Sequence, residues 1–304
     1  MSAQPQSGER LAVFLASEQA RIDAALAEIS ASVLDRVAPP LRDAVRYALS
    51  TTGKRIRPTL CVAAYSAAGG EPTPTLYRLA CALEVVHTYS LVHDDLPCMD
   101  DDDLRRGRPT VHRVFGARTA VLAGAALLPI AVRVLDGEAR ALGLSAPARA
   151  ALVVELCRAA GAGGMVGGQL LDLEGEEQEV DAAGLEAIHR AKTGALLTAS
   201  LRIGALAAGA PPTVLLALTR YGEALGLAFQ IIDDVLDVTG SAESLGKQAG
   251  RDEALRKASY PALFGLEGAR ALARARADEA KAALGAVASN RLRELADFVV
   301  DRES

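Results

Sequence analysis

Cysteine is scarce in this 304-residue sequence. Cys61, Cys81, Cys98 and Cys157 follow no metal-ligand or redox spacing, so neither a zinc cluster nor a disulfide framework is expected, and the thiols read as reduced. No charge of either sign dominates: 38 acidic residues face 33 basic ones, a net of -5. That balance gives no general electrostatic reason to expect nucleic acid or an anionic membrane surface. The start, MSAQPQSGER, lacks the basic and apolar segments of a signal peptide. Residues 1–10 read as a flexible tail on a cytoplasmic protein. The longest uncharged apolar window, Thr119 to Val132, is shorter than the roughly 20 residues of a bilayer span, so stable membrane insertion is not expected. No long linker and no fixed-period repeat appears, and residues 1–304 read as one domain.

What is present is apolar and helical. Half of the residues are hydrophobic, enough for a large core. Apolar positions recur at three and four, as in Leu76, Leu79, Ala80, Leu83 and Val86, and β-branched residues rarely alternate with polar ones. The expected fold is all-α, about ten long helices punctuated at APP (38–40), GGEPTP (69–74), GLSAP (143–147), GAGG (161–164), GAPP (209–212) and around Gly240 to Gly250. A stretch such as Tyr221 to Val238, apolar on nearly every side, belongs at the centre of a bundle.

Against this background HDDLPCMDDDDLRRG is unusual. Six aspartates fall between Asp94 and Asp103, directly after an apolar run and directly before Arg105 and Arg106. Pro97 ends the helix, and alone such a run reads as a solvated acidic loop. A second acidic group changes that reading. In FQIIDDVLDVTG, Asp233 and Asp237 share a helix face with Asp234 beside them, and like charges at that spacing need an offset. A divalent cation supplies one. Oxygen ligands without a His or Cys cluster indicate Mg²⁺, which completes its shell with water and phosphate oxygens. Cations suited to phosphate are also present: Lys54, Arg55 and Arg57 in TGKRIRP, Arg105 and Arg106, then Lys192, Lys247 and Lys257. GAGGMVGGQ is no phosphate loop, because it lacks the G-K-[ST] ending and a preceding strand. DDDD lacks the glycine and closing glutamate of a calcium loop.

In order along the chain, GKRIRP, EVVHTYSLVHDDLPCMDDDDLRRGRPT, GGQLLDL, HRAKTGAL, FQIIDDVLD and LGK resemble the trans-isoprenyl diphosphate synthases, most closely the bacterial farnesyl type. The resemblance implies an all-α fold around a deep cavity whose mouth carries both aspartate motifs. It also implies Mg²⁺ on Asp94, Asp95, Asp100, Asp233, Asp234 and Asp237. Arg105, Lys192, Thr193, Gln230, Lys247 and Lys257 would hold the allylic diphosphate, and Lys54, Arg57, His87 and Arg106 would hold isopentenyl diphosphate. Catalysis would centre on Asp94, Asp95, Asp100, Lys192 and Asp233. His87 lies two helical turns before Asp94, a placement equally open to a core histidine and a ligand; the family pattern favours the ligand. Asp101 to Asp103 remain as solvated charge.

The implied reaction joins isopentenyl diphosphate to dimethylallyl or geranyl diphosphate, giving farnesyl diphosphate. The implied assembly is a homodimer. Tyr89, roughly 7 to 8 Å down the helix from Asp94, and the small Ser90 are the residues expected to set chain length. Alternatives are a geranylgeranyl diphosphate synthase and a non-catalytic regulatory subunit. A terpene cyclase is disfavoured, because it needs no second cationic site. Three positions depart from the family: Thr52 replaces a glycine, Ala125 an aspartate after Gly124, and Ser259 a threonine.

Overall fold

The computed structural model describes residues 7–175, 180–239 and 258–302, with side chains from Leu11 onward. The fold is all-α. Helices α1 (Ser7–Val33), α2 (Pro39–Leu49), α3 (Ile56–Ala67) and α4 (Pro74–Asp94) are followed by a two-stranded ladder, β1 (Leu104–Arg105) and β2 (Arg108–Pro109). Then come α5 (Val111–Phe115), α6 (Ala117–Ala141), α7 (Ala146–Ala160), α8 (Met165–Gly175) and α9 (Ala182–His189). One π-helical turn, Arg190–Gly194, leads into α10 (Ala195–Ala207), and α11 (Pro212–Thr239), α12 (Tyr260–Ala283) and α13 (Asn290–Asp301) complete the fold.

The helix boundaries follow local chemistry. Thr73 caps α4 and Ser145 caps α7 through their side-chain oxygens, and each is followed within two residues by proline. Pre-set proline φ and a capping hydroxyl together start a helix without leaving an orphan N–H. The predicted break around Gly240 to Gly250 lies outside the described residues. Arg106 and Gly107 both take positive φ, 54° and 74°, so they form the tight turn of a small antiparallel hairpin.

Helix α4 packs along α6, and α11 packs along α12. Leu76, Leu79, Leu83, Leu127 and Leu135 are fully buried in this layer; each such side chain stabilises the fold by about 1.5–3 kcal/mol. Tyr221 on α11 is also fully buried, and its hydroxyl donates to the Leu292 carbonyl at 2.7 Å, tying α11 to α13. By length and composition, Ala117–Ala141, Ala146–Gly175 and Pro212–Thr239 could each cross a membrane. Charges interrupt every one, so none holds an uncharged apolar run of bilayer length. In this fold 56% of the most apolar window of Pro212–Thr239 is buried against the rest of the protein.

Helices α3 and α10 meet at Gly204, where a Cβ would lie 2.1 Å from the Cys61 carbonyl oxygen. Gly204→Ala must therefore push two backbones apart. We predict a loss of about 1–3 kcal/mol in urea unfolding; an unchanged midpoint would show that the α3–α10 spacing is not tight.

Candidate active site

The end of α4 divides its aspartates. Asp94 lines a cavity of about 530 Å³, while Asp95, at the helix C-terminus, is buried and accepts from both Nε (2.9 Å) and Nη2 (2.5 Å) of Arg105. Arg105 also donates to Asp102 at 2.7 Å. Asp102 is therefore a buried ion-pair partner rather than solvated charge, and its carbonyl accepts from the Thr110 hydroxyl. Asp103 pairs with Arg113, and Asp101 is exposed. Asp100 is folded back toward the helix end by its N–H, which donates to the Asp94 carbonyl at 2.9 Å. Burial, with Asp100 and Asp95 adding repulsion against the pull of Lys192 and Arg105, pushes the Asp94 carboxyl up to about 6.

A cationic group faces these carboxylates. Arg55 takes a left-handed conformation, φ 52°, just before α3 and turns inward. Its guanidinium bonds Glu84 at 2.7 Å, Asp23 at 2.8 Å and the Thr51 carbonyl at 2.6 Å. Arg57 is left at the cavity, with its Nε buried and unpaired. Arg106 projects from the hairpin turn, donates to the Thr52 carbonyl at 2.6 Å and lies 3.4 Å from His87 Nε2. Gly53 leaves room for this guanidinium, since a Cβ would lie 2.5 Å from Arg106 Nη1 and would shift the side chain. Thr52 offers its carbonyl while its side chain stays exposed, so the departure at that position is tolerated. Burial, reinforced by Arg57, Arg106 and Arg105, holds the His87 imidazole far below its ordinary range, hence neutral. Lys54, at the surface, is close enough to Arg302 and Asp233 to feel both charges.

The opposite wall comes from α8, the π-turn and α11. Lys192 donates to Asp172 at 2.5 Å. The Thr193 hydroxyl donates to Gln230 Oε1 at 2.8 Å, Gln230 Nε2 donates to Asp234 at 3.2 Å, and Asp234 accepts from the Tyr260 N–H at 3.0 Å. Asp234 and Asp237 are buried, whereas Asp233 lines the cavity and pairs with Arg302 at 2.5 Å. Arg302 also lies 3.9 Å over the Phe229 ring and donates to the Phe229 carbonyl. Ser259 caps α12 through its hydroxyl, a task threonine would share. Lys247 and Lys257 lie outside the described residues.

One cavity thus gathers Arg57, His87, Asp94, Lys192, Thr193 and Asp233, and its remaining wall is mostly apolar: Tyr89, Met99, Met165, Val166, Leu170, Leu173 and Phe229, with Ser90 small and polar. Sequence reasoning missed Glu84, Asp172, Gln169 and Arg302. Glu84 had a signal, a carboxylate inside the apolar stretch ALEVV; Arg302 had none. Among the described residues no three acidic, histidine or cysteine side chains converge closely enough to hold a metal alone. Carboxylates on two facing walls still fit Mg²⁺, which takes few protein oxygens when phosphate supplies others. Burial first, and then the like charge of Asp100 and Asp95, disfavours the ionised Asp94, and such a cation would offset both.

The family described as Polyprenyl synthetase matches residues 38–294. The farnesyl diphosphate synthase of Escherichia coli K12 is 46% identical over 269 residues, 86% of this chain and 89% of the relative. Geranylgeranyl pyrophosphate synthase 9 of Arabidopsis thaliana is 48% identical over 237 residues, 77% and 65% of the two chains. A Helicobacter pylori geranyltransferase solved with magnesium and isoprenyl diphosphate superposes with a TM-score of 0.82 at 32% identity, covering 99% of this chain and 98% of the other.

The raised Asp94 carries a stability cost with a definite sign. Its protonated form suits the fold, so that contribution is complete below the ordinary carboxylate value and is lost as pH rises through about 6. In EDTA, Asp94→Asn should raise unfolding stability at about pH 7.5 by on the order of 2 kcal/mol and change little near about pH 4. Denaturant titrations at both pH values measure this; equal stabilities at the higher pH would mean the carboxylate is at ease in the fold.

Proposed function

The chain belongs to the polyprenyl synthetase family, and from that premise we propose that it condenses isopentenyl diphosphate with dimethylallyl and then geranyl diphosphate to yield farnesyl diphosphate. The carrying observation is the single cavity that holds Asp94 and Asp233 from facing helices beside Arg57, Lys192 and Thr193, above an apolar interior. Diphosphate suits the charged end and a hydrocarbon tail suits the rest.

The residues that would hold Mg²⁺ are Asp94, Asp95, Asp100, Asp233, Asp234 and Asp237. Asp95 would first have to share or release Arg105. When bound, magnesium neutralises charge on the departing diphosphate. Lys192, Thr193, Gln230 and Arg105, with Lys247 and Lys257, position the allylic diphosphate; Lys54, Arg57, His87 and Arg106 position the second substrate. Lys192 is aimed by Asp172 and Thr193 by Gln230. A neutral His87 offers a hydrogen bond without adding a further charge to the arginines around it. The apolar wall excludes water that would capture a cation.

Tyr89 lines the cavity and its ring meets the His93 ring edge-on at 4.7 Å. Together with Ser90 it forms the proposed floor that stops growth at fifteen carbons. A geranylgeranyl product is the second reading, favoured by the plant relative. A homodimeric, cytoplasmic enzyme belongs to the same proposal.

Purified protein supplied with Mg²⁺ and both substrates should release diphosphate and form a fifteen-carbon product, and EDTA should abolish turnover. Turnover that appears only when a partner protein is added would instead identify a regulatory subunit. Tyr89→Ala should lengthen the main product by at least one isoprene unit on chromatography. An unchanged product from that variant would remove Tyr89 from the floor.

A further inference from the structure

Two glutamines flank the Lys192–Thr193 turn in contrasting ways. Gln230 uses both ends of its amide, accepting from Thr193 and donating to Asp234. Gln169 uses neither. Its Oε1 and Nε2 are both sealed from solvent and have no hydrogen-bond partner, although the residue lines the cavity. A buried amide left unpaired destabilises a fold, and an apolar side chain of the same length would avoid that cost.

The position of Gln169 is set rigidly. A Cβ on the preceding Gly168 would lie 2.2 Å from the Lys192 backbone nitrogen, so α8 is pressed directly against the π-turn. One helical turn further, Asp172 grips Lys192. Around Gln169 the α8 face turned to the cavity is apolar, with Met165, Val166, Leu170 and Leu173. Such a surface excludes water but does nothing to stabilise positive charge. With both amide positions unpaired, the group can turn its oxygen toward the cavity.

We propose that Gln169 is a catalytic residue whose amide oxygen stabilises the allylic cation. The inference rests on the prenyl-transfer reading above. In that reaction the bond between C1 and the diphosphate oxygen breaks, and both electrons leave with diphosphate. The isopentenyl double bond then forms the new carbon–carbon bond to C1, and a proton passes from C2 of the added unit to the released diphosphate. Positive charge exists only between the first and last of these events. A carbonyl dipole turned toward the cavity acts on that charge and little on the neutral bound chain.

Gln169→Met tests this in the full-length protein, because methionine keeps the length and removes the dipole. We expect kcat to fall about tenfold to hundredfold, KM for both diphosphates to stay within about threefold, and Tm to match or exceed wild type. Binding supplies the separating readout. An ammonium analogue of the allylic cation, added with inorganic diphosphate, should bind the variant about tenfold more weakly, while a non-ionisable thiolodiphosphate analogue binds unchanged. Retention of kcat within about twofold, or equal weakening of both analogues, overturns the assignment. Joint loss of Tm and of both affinities likewise overturns it, by making Gln169 a packing residue. Absence of turnover in wild-type protein would instead bring down the prenyl-transfer reading, and this assignment with it.

Discussion

The buried ion pair between Arg55 and Glu84 holds the site in place. Glu84 is only 2% exposed, and its field reaches Arg55, Arg57 and Arg106. Without that anion, the arginines around His87 would repel one another in a poorly solvated space. A buried pair of this kind rarely stabilises a fold more than apolar side chains of similar volume would, yet removing one partner costs about 3–5 kcal/mol. What it contributes is geometry. By joining α1, α3 and α4 through Asp23, Arg55 and Glu84, it fixes the start of α3 and so the direction of Arg57.

The rest of the cavity is a set of groups poorly served by the protein alone. Asp94 resists ionisation, Arg57 keeps an unpaired Nε, and the Gln169 amide has no partner. Asp233 is met by Arg302, 69 residues later in the chain. The carboxylates and Arg57 would be better served by a ligand carrying negative charge together with a divalent cation. On the proposed function, a metal would relieve the carboxylates and phosphates would satisfy the arginines, so ligand binding and the relief of internal repulsion would favour the same state. Arg302 acts as a local counter-ion until another cation competes for Asp233.

The helical architecture, its breaks and the two acidic motifs were legible because each is written in neighbouring residues. APP, GGEPTP, GLSAP and GAPP all fall at helix boundaries. Pairing was not legible, because it depends on contacts between distant segments. GKRIRP offers three cations, and nothing local says that Arg55 turns inward to Glu84 while Arg57 stays at the cavity. HDDLPCMDDDDLRRG offers six aspartates, and nothing local says that Asp95 and Asp102 share Arg105 while Asp94 faces the cavity. The bend at Asp101, with φ 51° and its N–H donating to the Leu96 carbonyl, allows that division, since it reverses the chain between Asp95 and Arg105.

The same distinction explains the departure at Ala125. His93 lies against α6, where a Cβ on Gly124 would come within 2.2 Å of its ring, and its Nε2 is 3.1 Å from the Val121 carbonyl. A carbonyl can only accept, so Nε2 carries the proton in this contact. The ring needs no side-chain carboxylate at position 125, and Ala125 is exposed. Because the Tyr89 ring rests edge-on against His93, the proposed floor of the cavity is braced by the backbone of α6. Position 125 is thereby free to vary, while a side chain at Gly124 would have to displace the imidazole.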